Sequence, residues 1–307
     1  MFTQVVGNLP TRSGDDPIFI WVFTLSFYSL AQESGQRKQP IVDMHLHAFD
    51  LQLYKEMLGQ SKLTQKEYLE NVIEILERNN IIAIASGDYN IVKDWVKRSP
   101  TRIIPGFCGP DYYNIDSLRS LINRSEMKVI AEIAPQYEGI SPSDSVLEPI
   151  WKLAEELDIP VGIHMGLGPP DAAKNGAPKY RARLSNPLLI EETLIRHPDL
   201  RVYIMHAGWP MLDELIHILY SYSQVYVDVG VIDWYVPREE FYFYLKRIVN
   251  AGYCNRVMFG SDEMIWTDSI EKAIEAIKSA DFLTEAQKRD ILYNNAVRFL
   301  RLDSNIK

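Results

Sequence analysis

The strongest constraint on the fold is a regular alternation of short apolar runs with amphipathic segments, which begins at residue 41. Most of the runs are almost continuously apolar, as is typical of parallel strands that are covered on both faces. Apolar residues at helical spacing predict helices in the segments between them. The predicted strands are 41–48, 81–88, 102–109, 128–135, 159–166, 200–208, 224–231 and 256–263.

Eight strand–helix units in about 260 residues predict an α/β fold, a (β/α)8 TIM-type barrel, because they match its size and element order. A doubly wound open sheet is the alternative. That fold does not need eight units, and no glycine-rich phosphate turn follows the first predicted strand. Residues 284–302 predict a C-terminal extra helix packed outside the barrel.

Polar residues interrupt the apolar runs at the carboxyl ends of the predicted strands, where the catalytic residues of such barrels lie. In "IVDMHLHAFD" (41–50), His45 and His47 are one residue apart and share a strand face with Asp43. The opposite face is predicted to carry Val42, Met44 and Leu46. The other strand-end residues are Glu132, His164, His206 and Asp262.

Taken singly, these residues have ordinary explanations: a hydrogen-bonded histidine, a helix cap at Asp262, or an ion-pair partner at Glu132. Together, histidine nitrogens and carboxylate oxygens converging above one barrel predict a site for a divalent metal, with zinc favoured and manganese compatible. Two ions about 3.5–4 Å apart would need Glu132 as a bridge. With one ion, Glu132 lies behind the ligands or faces the substrate. Asp43 is predicted to orient a ligand.

Five segments carry a family resemblance over residues 41–302: "VDMHLH", "GIHMG", "MHAGWP", "FGSDEM" and "ILYNNAVRFL". They resemble the amidohydrolase superfamily, in the branch of aminocarboxymuconate semialdehyde decarboxylase and γ-resorcylate decarboxylase. The resemblance implies that His45, His47, His164 and Asp262 bind the metal, and that His206 contacts the substrate beside it. One departure is that the superfamily's strand-four lysine is missing from the strand end. Glu132 stands there and is similar to the metal-binding glutamate of TatD-type nucleases.

These residues favour hydrolysis of an amide, ester or lactone in a small organic substrate. Asp262 is predicted to move the proton of the attacking water, and His206 to stabilise the developing oxyanion. Non-oxidative decarboxylation of a small unsaturated or aromatic acid uses similar parts and remains the alternative, and a non-catalytic metal- or ligand-binding barrel is a third. Candidate substrate-binding residues on the loops are Arg181, Arg183, Trp209 and Tyr137; Trp234 and Trp266 are further candidates for the pocket wall.

The N-terminal segment is different in character from the barrel. Residues 18–31 are mostly apolar, too short for a comfortable membrane span, and end in small residues, so residues 1–31 are predicted to be a signal peptide. Residues 32–40 are then a linker, and residues 41–307 a single barrel domain. Cleavage would give an exported protein, periplasmic or secreted, with no stable membrane anchor; otherwise the protein is cytoplasmic. A buried N-terminal strand or helix is the alternative.

Charge and cysteine content narrow the range of partners. The net charge of −9 argues against nucleic acid or an anionic membrane as a partner, and the predicted partner is a small-molecule substrate. The two cysteines form no disulfide framework. The sequence is also compatible with a homo-oligomer.

Overall fold

The structure is a computed structural model that describes residues 38–52, 63–108 and 114–302. The predicted signal peptide, 1–31, and most of the predicted linker lie outside the described residues. Among the described residues, no helix has the length and apolar character needed to cross a membrane.

Eight parallel strands follow one another around a single sheet in chain order, with helices between them. The strands are β1 (Ile41–Ala48), β2 (Ile81–Gly87), β3 (Ile103–Phe107), β4 (Val129–Ile133), β5 (Val161–His164), β6 (Val202–Met205), β7 (Val225–Asp228) and β8 (Val257–Met258). The intervening helices are α1 (Gln65–Asn79), α2 (Tyr89–Arg98), α3 (Ile115–Asn123), α4 (Glu148–Glu156), α5 (Glu191–Arg196), α6 (Leu212–Ser221), α7 (Arg238–Asn250) and α8 (Asp268–Lys278). This order confirms the predicted (β/α)8 barrel.

The barrel closes where β1 meets the chain around and beyond β8. The Met44 amide donates to the Phe259 carbonyl at 2.9 Å, and the His47 amide donates to the Glu263 carbonyl at 2.9 Å. Between them, the Asp262 amide donates to the His45 carbonyl at 2.6 Å. These bonds place the end of the last strand unit directly beside the two histidines of the first strand.

The helices form where the sequence supplies both a start signal and an apolar stripe. Thr64 caps α1, and Glu67 completes a capping box with it. Tyr68, Val72 and Leu76 then recur on one buried face of the helix. The helix ends at Asn80, which takes the left-handed conformation with φ of 54°.

The described residues form two apolar clusters. The larger one is shared with the helices, and the smaller one, which we call the inner cluster, fills the inside of the barrel. The Tyr203 hydroxyl on β6 donates to the Met44 carbonyl on β1 at 3.2 Å, although these strands are not neighbours in the sheet, so the contact crosses the barrel. The cluster consists of Val42, Met44, Ile84, Val129, Ala131, Tyr203, Met205, Met258, Ala296 and Phe299.

The alternation predicted for β1 is wrong in one respect. Val42 and Met44 belong to the inner cluster, whereas Leu46 packs in the larger cluster shared with the helices. The pairing of β1 with β2 shifts register between Asp43 and Leu46, and a one-residue shift exchanges the faces of the residues that follow.

The predicted C-terminal extra helix is present as α9 (Glu285–Arg289), a π-helical turn (Asp290–Asn294) and α10 (Asn295–Leu300). It does not simply pack outside the barrel, because Ala296 and Phe299 join the inner cluster. Arg201, just before β6, donates to the Phe299 carbonyl at 2.6 Å, and Asn295 donates to the carbonyl of Val257 at the start of β8, also at 2.6 Å. The helix therefore covers the amino end of the barrel. Its apolar pattern could not show which barrel surface it would meet.

Candidate metal centre and cavity

The two strand-one histidines and Asp262 form the most compact polar group at the carboxyl end of the barrel. The Nε2 atoms of His45 and His47 lie 3.1 Å apart. Asp262 Oδ1 lies 2.9 Å from His47 Nε2 and 3.2 Å from His45 Nε2. All three side chains are buried, and one ligand atom from each lies within 4.8 Å of the others.

Glu132, at the end of β4, lies between two pairs of histidines. Its Oε2 is 3.5 Å from His47 Nε2 and 3.7 Å from His45 Nε2. Its Oε1 contacts His164 Nδ1 and lies 3.8 Å from His206 Nε2. His45, Glu132 and His206 therefore form a second group whose possible ligand atoms lie close enough together to hold an ion.

Backbone carbonyls orient His164 and His206, which lie 3.2 Å apart between His164 Nδ1 and His206 Nε2. His164 Nε2 is 2.8 Å from the Leu167 carbonyl, and His206 Nδ1 is 3.0 Å from the Gly230 carbonyl. A carbonyl can only accept, so each of these nitrogens carries the proton. In the neutral rings, the lone pairs of His164 Nδ1 and His206 Nε2 then face the centre of the site.

Two aspartates behind the ligands hold the histidine-bearing segments in place. Asp228, at the end of β7, accepts at Oδ1 from the amides of His206 and Gly230, at 3.1 Å and 2.8 Å. Its Oδ2 lies 3.3 Å from His45 Nδ1, which directs Nε2 of that ring towards the site. Asp43 Oδ1 accepts from the amides of His45 and Ser261, as expected for a residue that orients a ligand. Asp228 was not predicted as a site residue from the sequence, although it is the polar residue of "VYVDVG", near the end of a predicted strand.

Glycines make room for His45 at two points. A Cβ on Gly260 would lie 2.9 Å from the Cβ of His45, which is closer than such atoms approach in proteins. A Cβ on Gly230 would lie 3.1 Å from His45 Nδ1 and 3.1 Å from the Asp262 Cβ. Larger residues at either position would push the histidine out of the group.

The site has an excess of buried acid. Burial raises the pKa of Asp43 to about 6 and that of Glu263 to about 8. Burial also opposes ionisation of Glu132 and Asp262, but the adjacent histidines overcome it and hold the pKa of both carboxyls below the ordinary value. The buried acids are Asp43, Glu132, Asp228, Asp233, Asp262 and Glu263, and no lysine or arginine is buried among the described residues.

This donor set fits a divalent cation. Buried carboxylates need a positive partner, and the described part of the chain supplies only histidines. Imidazole nitrogens with carboxylate oxygens are the ligands of zinc and similar borderline ions.

A cavity of about 520 Å³ opens above this group, within the usual size range of small-molecule sites. His47, Glu132, His164, His206 and Asp262 form its polar floor. Aromatic side chains make up much of its wall, namely Phe49, Tyr137, Trp234, Tyr235 and Trp266. Three of the aromatic residues singled out in the sequence, Tyr137, Trp234 and Trp266, therefore line the cavity.

The other predicted substrate-binding residues lie away from the cavity wall. Arg181 and Arg183 are exposed on the long loop after β5, and Arg181 Nη1 donates to the Tyr180 carbonyl at 2.7 Å. Trp209 Nε1 donates to Glu240 Oε1 at 3.2 Å. None of the three lines the cavity. The loop that carries the arginines could be identified from the sequence, but the direction of their side chains depends on how that loop packs.

Comparisons with known proteins identify a matching family model and a distant relative. A family model described as Amidohydrolase matches residues 42–302. The chain is 23% identical over 159 residues to Protein fluG of Emericella nidulans, a match that spans 47% of this chain and 18% of that protein.

Two solved structures are similar over most of their length. One is a probable 2-pyrone-4,6-dicarboxylic acid hydrolase from Acinetobacter baumannii with citric acid bound, at a TM-score of 0.64 and 15% identity, covering 86% of this chain and 100% of that one. The other is a 2,6-dihydroxybenzoate decarboxylase in complex with 2,6-dihydroxybenzoate, at a TM-score of 0.62 and 14% identity, covering 86% of this chain and 100% of that one. At these identities the likeness concerns the fold.

Proposed function

Because the chain belongs to the amidohydrolase family, we propose that it is a metal-dependent hydrolase that cleaves an amide, ester or lactone bond of a small organic molecule. The observation that carries the proposal is the position of Asp262. Its Oδ1 lies within 3.2 Å of the Nε2 atoms of both His45 and His47, on the floor of an aromatic-walled cavity. A carboxylate beside the ion's ligands and open to a substrate suits proton transfer.

The ion would be held by His45, His47 and Asp262, with Glu132 and His164 completing the set and His206 beside it. When bound, a divalent ion lowers the pKa of water to about 7 and polarises a carbonyl oxygen. Zinc is the favoured ion for this mixture of nitrogen and oxygen ligands, and manganese is the second choice.

The chain's own residues then move the protons. Asp262 Oδ1 faces the strand-one histidines, which leaves Oδ2 to accept a proton from the attacking water and return it to the leaving group. Burial lowers the pKa of His206, but Glu132 and Asp262 overcome this and raise it. A protonated His206 donates from Nδ1 to the Gly230 carbonyl and directs Nε2–H to the centre of the site, where it would stabilise the developing oxyanion.

Glu132 decides between one ion and two. Its two oxygens face different histidine pairs, as a bridging carboxylate would. If Glu132 bridges, titrating zinc into metal-free protein gives two equivalents in the wild type and one in Glu132→Gln. One equivalent in both proteins would instead leave Glu132 paired with His164.

That single-ion outcome would favour the second candidate function, the decarboxylation of a small unsaturated or aromatic acid. Its specific support is the contact between Glu132 Oε1 and His164 Nδ1, which a proton between the two atoms would stabilise without a second ion. A decarboxylase would release carbon dioxide from an aromatic acid, whereas a hydrolase would leave the acid intact.

The test combines elemental analysis of the purified protein with a screen of lactones, esters, amides and aromatic acids. His45→Ala with His47→Ala should remove both the ion and the activity, because it removes two adjacent ligands. The matched control is His217→Ala, an exposed histidine on α6, which should keep both. Full metal content in the double variant would overturn the assigned centre, and a wild type that turns over none of these substrates would overturn the function.

A further inference from the structure

The wall of the cavity carries negative charge and, among the described residues, no lysine or arginine. Its acidic members are Glu132 and Asp262 on the floor and Glu138 nearer the solvent. Lys179 pairs with Glu138 at 3.1 Å, but it lies outside the lining, as do Arg181 and Arg183.

An anionic substituent would meet an unfavourable environment in this cavity. A divalent ion can take the reacting group of a substrate, and it is balanced by Asp262 and Glu132. A carboxylate elsewhere on the substrate would lose its water and find no lysine or arginine among the described lining residues.

The aromatic residues instead provide a surface for a flat apolar ring. Trp234 is held by its Nε1 hydrogen bond to the Ser261 carbonyl at 2.7 Å, and its ring lies 6.1 Å from that of Trp266. Trp266 is 41% exposed and Tyr235 is 57% exposed, so both present ring surface near the solvent. The remaining lining includes the apolar residues Leu167, Pro169 and Pro170.

We propose that the substrate is an uncharged aromatic ester or lactone that carries no free carboxylate. This inference rests on the proposed hydrolase function, which it narrows to one substrate class. It differs from the acids named for the two similar structures, a dicarboxylic acid and a dihydroxybenzoate. The ring lies against Trp234 and Trp266, and the ester or lactone carbonyl points to the histidines.

The experiment compares two esters that differ by one charge, phenyl acetate and 4-acetoxybenzoate. Each kcat/KM is divided by the rate of hydrolysis in buffer alone, which corrects for the leaving group. We expect the uncharged ester to be preferred by at least about tenfold. Glu138→Lys should reduce that preference several-fold by supplying a cation at the wall. Glu74→Lys, a matched charge change on the exposed surface of α1, should leave it unchanged.

A second measurement keeps the inference separate from the hydrolase proposal. Isothermal calorimetry on the protein as purified compares 2-naphthol with 6-hydroxynaphthalene-2-sulfonate, neither of which can be hydrolysed. Both ligands can offer a hydroxyl to the ion, and they differ by one remote negative charge. Tighter binding of 2-naphthol with no turnover of either ester would support the uncharged ligand class and count against hydrolysis. Tighter binding of the sulfonate, or preference for 4-acetoxybenzoate, would overturn the inference and leave hydrolysis intact.

Discussion

The two ends of the barrel bury opposite kinds of side chain. At the amino end, α10 brings Ala296 and Phe299 into the inner cluster, which is entirely apolar apart from the hydroxyl of Tyr203. At the carboxyl end, the buried groups are histidines and carboxylates. Burying apolar surface stabilises a fold, whereas burying ionised groups costs free energy unless they are paired. We therefore expect stability to depend mainly on the amino end and chemistry mainly on the carboxyl end.

The largest effect on chemistry should come from Asp262→Asn. The amide keeps the shape of the side chain but cannot accept the proton, so kcat should fall by about 10²–10⁴-fold while the fold is retained. Steady-state kinetics, circular dichroism and metal analysis on the same sample measure the three properties. A kcat close to that of the wild type would rule out Asp262 as the base. It would also weaken the assignment of the chemistry to the carboxyl end of the barrel.

The matching change at the amino end is Phe299→Ala. Phe299 is buried, with its ring 5.6 Å from that of Tyr203 and 4.9 Å from that of Tyr226. Its loss should lower the free energy of unfolding by about 3–5 kcal/mol, as for other buried phenylalanines. Denaturant unfolding measures this change. Metal stoichiometry of the folded protein should be unchanged, and a lost ion would mean that the two ends are coupled.

A smaller effect tests the cost of burying acid at the carboxyl end. Burial, with added repulsion from Asp43 and Asp262, raises the pKa of Glu263 to about 8, and the Tyr68 hydroxyl donates to it at 2.5 Å. Between the unfolded pKa of about 4.3 and the folded value, the folded state holds a proton that the unfolded state has lost. Stability from this group is thus present at low pH and falls by up to about 1.4 kcal/mol per pH unit as the pH rises.

Glu263→Gln should therefore flatten the decline in unfolding free energy between pH 5 and pH 8. The measurement is urea unfolding in the presence of a chelator, so that an ion does not mask the effect. Glu74→Gln, at an exposed position on α1, is the control and should keep the wild-type slope. An unchanged slope in Glu263→Gln would show that this carboxyl is not a source of the pH dependence.

The smallest effect is expected for Arg181→Ala with Arg183→Ala. Both side chains are exposed and outside the cavity lining, so stability should change by less than about 0.5 kcal/mol and KM should stay within the error of measurement. A large rise in KM would show that the loop after β5 moves towards the cavity when substrate binds. It would also restore the substrate-binding role predicted from the sequence.

The fold and the grouping of polar residues could be predicted because both follow from local patterns. Apolar runs marked the strands, and the barrel rule placed His45, Glu132, His164 and Asp262 at one end. The register shift in β1 could not be predicted, because it depends on pairing with β2 rather than on the sequence of β1.

The directions of side chains on long loops could not be predicted from the sequence either. Arg183 and Tyr137 both follow predicted strands, yet only Tyr137 reaches the cavity. The role of Asp228 emerged only from its distances to His45 and His206, which come from different strands. Such contacts depend on tertiary packing, which no window of sequence contains.

The closure of the barrel through β1 and the segment after β8 also affects biosynthesis. The Ser261 amide donates to Asp43 Oδ1 across 218 residues of chain, and Asp262 reaches His45 by the same closure. Contacts of such long separation form late, since the intervening loop must be ordered first. A ribosome must therefore extend the chain past Glu263 before an ion can find all of its ligands, so we expect metal loading to begin only after all eight strands have been synthesised.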